Sequence, residues 1–168
     1  MKVMDYNGQG FWSVDEVLKR YAEYARRFNI TQPADLTPRT SSTDDGKWIW
    51  PVMEHVIEAI EAGDSACAEL GVEFIETSES FPFGMTLKSN VARALRRTPL
   101  TEEQKERIRR RVVEMLETEY LPREFVQYAK LARKLGLRDW LPRIKQLSTL
   151  GGPWVQHYCA YFEKHAAH

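Results

Sequence analysis

The chain holds two cysteines in 168 residues, Cys67 and Cys159, and no Cys-x-x-Cys pair. So few thiols exclude a disulfide-dense scaffold. Both sit inside apolar helical patterns. They read as two buried free thiols in a reducing, cytoplasmic compartment, with a disulfide between them as the second reading. No apolar run approaches the roughly 18 residues that a membrane span needs, so no membrane partner is expected. Met1-Lys2-Val3-Met4-Asp5 is not an apolar stretch of signal-peptide type. There is no Gly-x-Gly-x-x-Gly, no Walker-type phosphate loop and no Gly-x-Ser-x-Gly. Gly8-Gln9-Gly10 is too short to mean more than a turn. No alternating run of β-branched residues bounded by hairpin turns is visible, so no sheet is expected.

What is present is ordinary globular material, 43 % apolar and 29 % charged, with 11 % aromatic residues to fill a core. Charge is distributed unevenly. Residues 1–84 hold 7 Lys/Arg against 15 Asp/Glu, and residues 85–168 hold 17 against 9. The neutral total hides a polarised chain, which bears on partners and self-association rather than on fold.

Nearly every segment has helical spacing. A first helix is expected over 13–29, with Ser13 and Glu16 as a capping box and Val14, Val17, Leu18, Tyr21, Ala25 and Phe28 as its stripe. Residues 30–47 are polar and carry two prolines, so they read as a long loop with few core contacts. A helix over 49–62 follows, with Ile49, Val52, Met53, Val56, Ile57 and Ile60 facing inward. Gly63 stops it and Asp64 caps a helix over 65–77. Gly71 shares a face with Cys67 and marks a close helix crossing. Phe81-Pro82-Phe83-Gly84 reads as a turn with aromatic anchors. Further helices are expected over 86–97, from Thr101 (capped with Gln104) to about 119, from Pro122 to Gly136, after Pro142, and after Gly151-Gly152-Pro153. Glu119-Tyr120-Leu121-Pro122-Arg123 recurs in altered form as Asp139-Trp140-Leu141-Pro142-Arg143, one helix-start solution used twice. The expected fold is a single all-α domain, 1–168, of about eight helices in an irregular bundle. The succession of helix pairs resembles HEAT or armadillo arrays in general shape only, since no signature motif of those families is present.

Three clusters could carry chemistry. On the helix 49–62, His55 and Glu58 lie three apart and Glu54 and Glu58 four apart, so they share one surface region. His55 and Glu58 are thus the candidate metal ligands. Helical di-metal bundles use Glu-x-x-His on two helices, and this chain has none. A solvated acidic face is the simpler reading, and no cofactor is expected. In the last helix, Cys159 and His157 are two apart and point to different sides; His165 and His168 lie near its end. The third cluster is basic: residues 86–111 hold nine cations and three anions. Lys88, Arg93, Arg96, Arg97, Arg107, Arg110 and Arg111 are the candidate anion- or partner-binding residues. Arg96, Arg97, Arg110 and Arg111 should face solvent if Leu87, Val91, Leu95, Ile108, Val112 and Met115 face inward. Glu103 is placed to pair with Arg107, and Glu106 with Arg109 and Arg110. No recognition helix after a glycine turn and no base-stacking aromatic strand accompanies the cations.

The function expected from these features is non-enzymatic: a scaffold- or adaptor-like module that binds protein through an acidic and a basic face. The alternative is a nucleic-acid or phosphate-binding protein using residues 86–111. A metal-dependent enzyme on the helix 49–62 comes third. The charge split also permits head-to-tail self-association.

Overall fold

The structure, a computed structural model, describes residues 2–166. Among them are eight α-helices and three short strands. The all-α class holds; the expectation of no sheet does not. The chain divides into two compact units, Met1–Leu100 and Thr101–His168.

The first unit contains β1 (Lys2–Asp5), α1 (Val14–Arg27), β2 (Thr40–Thr43), β3 (Gly46–Ile49), α2 (Met53–Glu61), α3 (Ser65–Glu76) and α4 (Gly84–Leu95). β3 is central, parallel to β1 and antiparallel to β2, with Lys2 and Thr43 both opposite Gly46. A Cβ on Gly46 would lie 2.6 Å from the Lys2 carbonyl oxygen, so the approach of β1 requires glycine there. Each strand has four residues and β2 is exposed throughout, so neither alternation nor a hydrophobic run marks them. The available signals are the two-residue Asp44-Asp45 connection and the β-branched Thr40 and Thr43. The pairing also delays the next helix: Ile49 belongs to β3, and α2 begins at Met53 rather than at 49. Residues 30–47 are therefore not a structureless loop. Leu36 within them is 2 % exposed and completes the core. Its segment is fixed where the Ala34 N–H donates to the Tyr21 hydroxyl, which itself donates to Asp64 Oδ2 at 2.6 Å.

Asp64 also caps α3, its Oδ1 accepting from the Cys67 N–H at 3.0 Å. Gly71 does mark a close crossing. A Cβ there would stand 2.9 Å from Ile60 Cδ1 on α2 and 3.2 Å from Val91 Cγ1 on α4. Between α1 and α3, Arg20 and Glu73 form a nearly buried ion pair at 3.0 Å. Burial, and next the Glu73 carboxylate, push the neighbouring Tyr24 hydroxyl up from 10 to about 12. A proton held more tightly in the folded than in the unfolded chain gives stability that is intact below pH 10 and lost as pH rises toward 12. Alkaline unfolding followed by circular dichroism should therefore be shallower over that window in Tyr24→Phe; an unchanged slope would remove Tyr24 as its source.

The second unit contains α5 (Glu102–Glu117), α6 (Phe125–Leu135), α7 (Leu141–Leu150) and α8 (Pro153–His165). The Thr101–Gln104 capping box forms in full, whereas at α1 only the Ser13 half is present, accepting from the Glu16 N–H. Pro122 lies in a turn before α6 instead of inside it, while Pro142 sits in the first turn of α7, so the two echoed segments start their helices differently. Ile108, Val112 and Met115 of α5 join Phe125, Leu131, Ile144, Val155, Cys159 and Phe162 in the core. Both cysteines are free and buried.

Candidate functional site

The seven candidate cations are divided between the units. Lys88, Arg93, Arg96 and Arg97 belong to the first, and Arg107, Arg110 and Arg111 to the second. Two of them are not surface groups. Lys88 is 4 % exposed; its Nζ donates to the Glu79 carbonyl at 2.9 Å and lies 5.7 Å from the Phe81 ring centroid. Arg111, expected to face solvent, is 8 % exposed, pairs with Glu114 and lies 6.0 Å from the Tyr120 ring. Both are buried and have the charged head held locally, which periodicity does not reveal. Arg96 and Arg107 are half-buried, and Arg107 pairs with Glu103 at 3.9 Å. Glu106 pairs with Arg109 at 3.4 Å, not with Arg110. Arg93 is exposed and donates to Asn90 Oδ1. Arg97 and Arg110 are exposed without an ion pair among the described residues.

His55 is half-buried with its Nδ1 unpartnered, and Glu58 is exposed. Among the described residues no group of three or more His, Cys, Asp and Glu is placed to hold a metal ion. Burial, then the Glu163 charge, push the Cys159 thiol up to about 11, so it stays protonated near neutral pH. His157 is exposed and packs edge-on against Trp154. His168 lies outside the described residues.

The most distinctive surface of the first unit is a groove of about 440 Å³ along α2 and α4. Glu54, Ile57 and Glu58 line it from α2, and Thr86, Leu87 and Asn90 from α4. Trp50 and Phe83 form its aromatic part, and Arg39 enters it from the segment before β2. Tyr6, just past β1, packs against both Trp50 and Phe83 with ring centroids 5.3 Å apart in each case. Asn7 fixes this row: its amide donates to the Trp50 carbonyl and accepts from the Val52 N–H at 2.7 Å. The Trp50 indole N–H donates to Ser41 Oγ. Arg39 donates to Glu54 Oε2 through Nε at 3.2 Å and Nη2 at 2.8 Å.

Phe83 differs from the anchor expected of the Phe81–Gly84 turn. Phe81 is the anchor, stacked on Phe74 at 5.3 Å. Phe83 is 53 % exposed and has φ 59°, a left-handed conformation that a non-glycine residue adopts at a cost of about 1 to 2 kcal/mol. A strained backbone that presents a large apolar ring to solvent marks a functional position better than a packing one.

No family model, curated protein or solved structure matches this chain in comparisons with known proteins. The chemistry of the groove is therefore the guide to its use. It has a carboxylate–guanidinium pair, one further carboxylate and two aromatic side chains.

The second unit has a cavity of about 420 Å³ around the end of α6, lined by Arg133, Lys134, Arg138, His165 and Phe162 among others, and, among the described residues, by no carboxylate side chain. Arg109 closes the helix end by donating to the Leu135 and Gly136 carbonyls at 2.8 and 2.6 Å. Cations at a helix C-terminus also complement its dipole, which is reason enough for Arg133 and Lys134. Periodicity does not disclose this cluster, because the cations are spread around the Gly136 turn instead of running along one helix.

Proposed function

We propose that this protein is a non-enzymatic interaction module that binds a segment of another protein in the α2–α4 groove. The observation that carries the reading is Phe83, half-exposed, held in a left-handed conformation and packed edge-on against Tyr6, which packs in turn against Trp50. Exposed aromatics supported by packed neighbours are the usual anchors of protein recognition.

Phe83→Gly provides the test. Glycine accepts φ 59° without strain, so the fold should keep its stability while the groove loses its aromatic wall. Peptides selected on the native chain from a displayed random library should bind Phe83→Gly at least about tenfold more weakly, an effect typical of an interface aromatic. Selected peptides that bind both proteins equally would place recognition elsewhere.

A second reading, favoured by Arg133, Lys134 and Arg138 lining the cavity at the end of α6, is phosphate or nucleic-acid binding by the second unit. Anisotropy of a labelled single-stranded oligonucleotide should then fall steeply with salt. Arg133→Gln with Arg138→Gln should flatten that slope by about one unit for each phosphate the two arginines neutralise. Salt-independent or absent binding would remove this reading.

A further inference from the structure

This inference rests on the groove reading and names what the groove takes. We infer that its occupant is a basic segment of a partner protein, with an arginine or lysine head against Glu58 and its stem along the aromatic wall. Three charged groups line the groove: Arg39, Glu54 and Glu58. The first two already display the chemistry proposed. The Arg39 guanidinium is paired with Glu54, and its Cζ lies 5.8 Å from the Trp50 ring centroid. The groove therefore holds one guanidinium of its own chain between a carboxylate and an indole.

Glu58, one helical turn beyond Glu54, lines the same groove, is exposed and forms no ion pair among the described residues. This carboxylate, next to Ile57 and the open face of Phe83, fits a side chain with an apolar stem and a cationic head. Neighbouring cations do not fill the position. Lys88 is buried against Glu79 and Phe81, and Arg93 is held by Asn90 at the rim. The unit as a whole carries 11 Lys/Arg against 15 Asp/Glu, which favours a positive partner at long range. Arg39 has 62 % of its side chain exposed, so its pair with Glu54 is an exchangeable one and competes with an incoming cation.

The test uses the full chain labelled with ¹⁵N and reads the Trp50 indole N–H. The probes are acetyl-Ala-Ala-Arg-Ala-Ala-amide and the same peptide with citrulline, which keeps the shape and removes the charge. The arginine peptide should shift the resonance, and the citrulline peptide should bind about tenfold more weakly. Glu58→Gln, at an exposed site that leaves folding intact, should abolish that difference. Arg39→Ala should strengthen arginine binding by removing the internal competitor. Equal binding of the two peptides would overturn the cationic occupant and leave the groove reading standing. Tighter binding of an aspartate peptide, lost in Arg39→Ala, would overturn it in favour of an anionic segment. Shifts that grow with protein concentration alone would assign the groove to a second copy of the chain. No shift with any probe, together with displayed peptides indifferent to Phe83→Gly, would end both readings.

Discussion

Glu73→Ala is expected to destabilise the first unit by about 3 to 5 kcal/mol, the usual effect of removing one partner of a buried ion pair. The Arg20 side chain is 9 % exposed and Glu73 13 %. Arg20 enters the interior between aromatic rings, its Cζ 3.5 Å from the Phe11 centroid and 4.6 Å from that of Trp12. It donates to Glu73 Oε2 at 3.0 Å and to the Phe11 carbonyl at 2.5 Å, and its Nε has no partner. Without Glu73 the guanidinium loses its carboxylate partner and keeps the Phe11 carbonyl and the Tyr24 hydroxyl. Small domains are stable by about 5 to 15 kcal/mol in total, so the change takes a large fraction. Urea unfolding should show it as a lower midpoint. Arg20→Met combined with Glu73→Leu should recover most of it, because a buried pair replaced by apolar groups of similar volume is close to neutral. A double variant as unstable as the single one would show that the cost comes from packing.

Phe125→Ala is expected to cost about 3 to 5 kcal/mol in the second unit. Phe125 is fully buried at the first position of α6 and meets Tyr158 of α8 edge to face, with centroids 4.6 Å apart. Removing the ring leaves a cavity between two helices and takes away the aromatic pairing. The adjacent Val126 is 41 % exposed, so Val126→Ala should change stability by less than about 0.5 kcal/mol. Similar midpoint shifts for the two variants in guanidinium unfolding would contradict the assigned orientation of α6.

Both expectations begin from a helical pattern that is visible in the chain itself. Val17, Tyr21 and Ala25, then Val56 and Ile60, then Cys67, Leu70 and Phe74, recur at helical spacing and are all buried. The stops and caps at Gly63, Asp64, Thr101 and Gly136 are equally legible, because a left-handed φ or an N-cap hydrogen bond depends on a few adjacent residues. Gly71 can be read as a crossing because glycine inside a buried helix face has few other uses.

The candidate groove is not legible in this way. Tyr6, Arg39, Trp50 and Phe83 come from separate segments, and the spacing that singles out Glu58 points to His55 rather than to them. The sheet brings three of them together: parallel pairing of residues 2–5 with 46–49 sets Tyr6 beside Trp50, and the antiparallel return of 40–43 delivers Arg39. Such pairings depend on backbone hydrogen bonds between distant segments, which four-residue strands without alternation do not announce. Burial of individual charges is hidden for the same reason. Lys88 and Arg111 look like surface cations in a basic run, yet both are buried, with heads held by the Glu79 carbonyl and by Glu114, so burial has to be seen in the fold. The all-α class, the helix stops and caps named above and the uneven charge are written in the chain, since each follows from local composition and spacing. Where aromatic and acidic groups meet is settled in three dimensions, because it depends on pairing between segments remote in the chain, and which charges reach solvent depends on how the packed fold covers them.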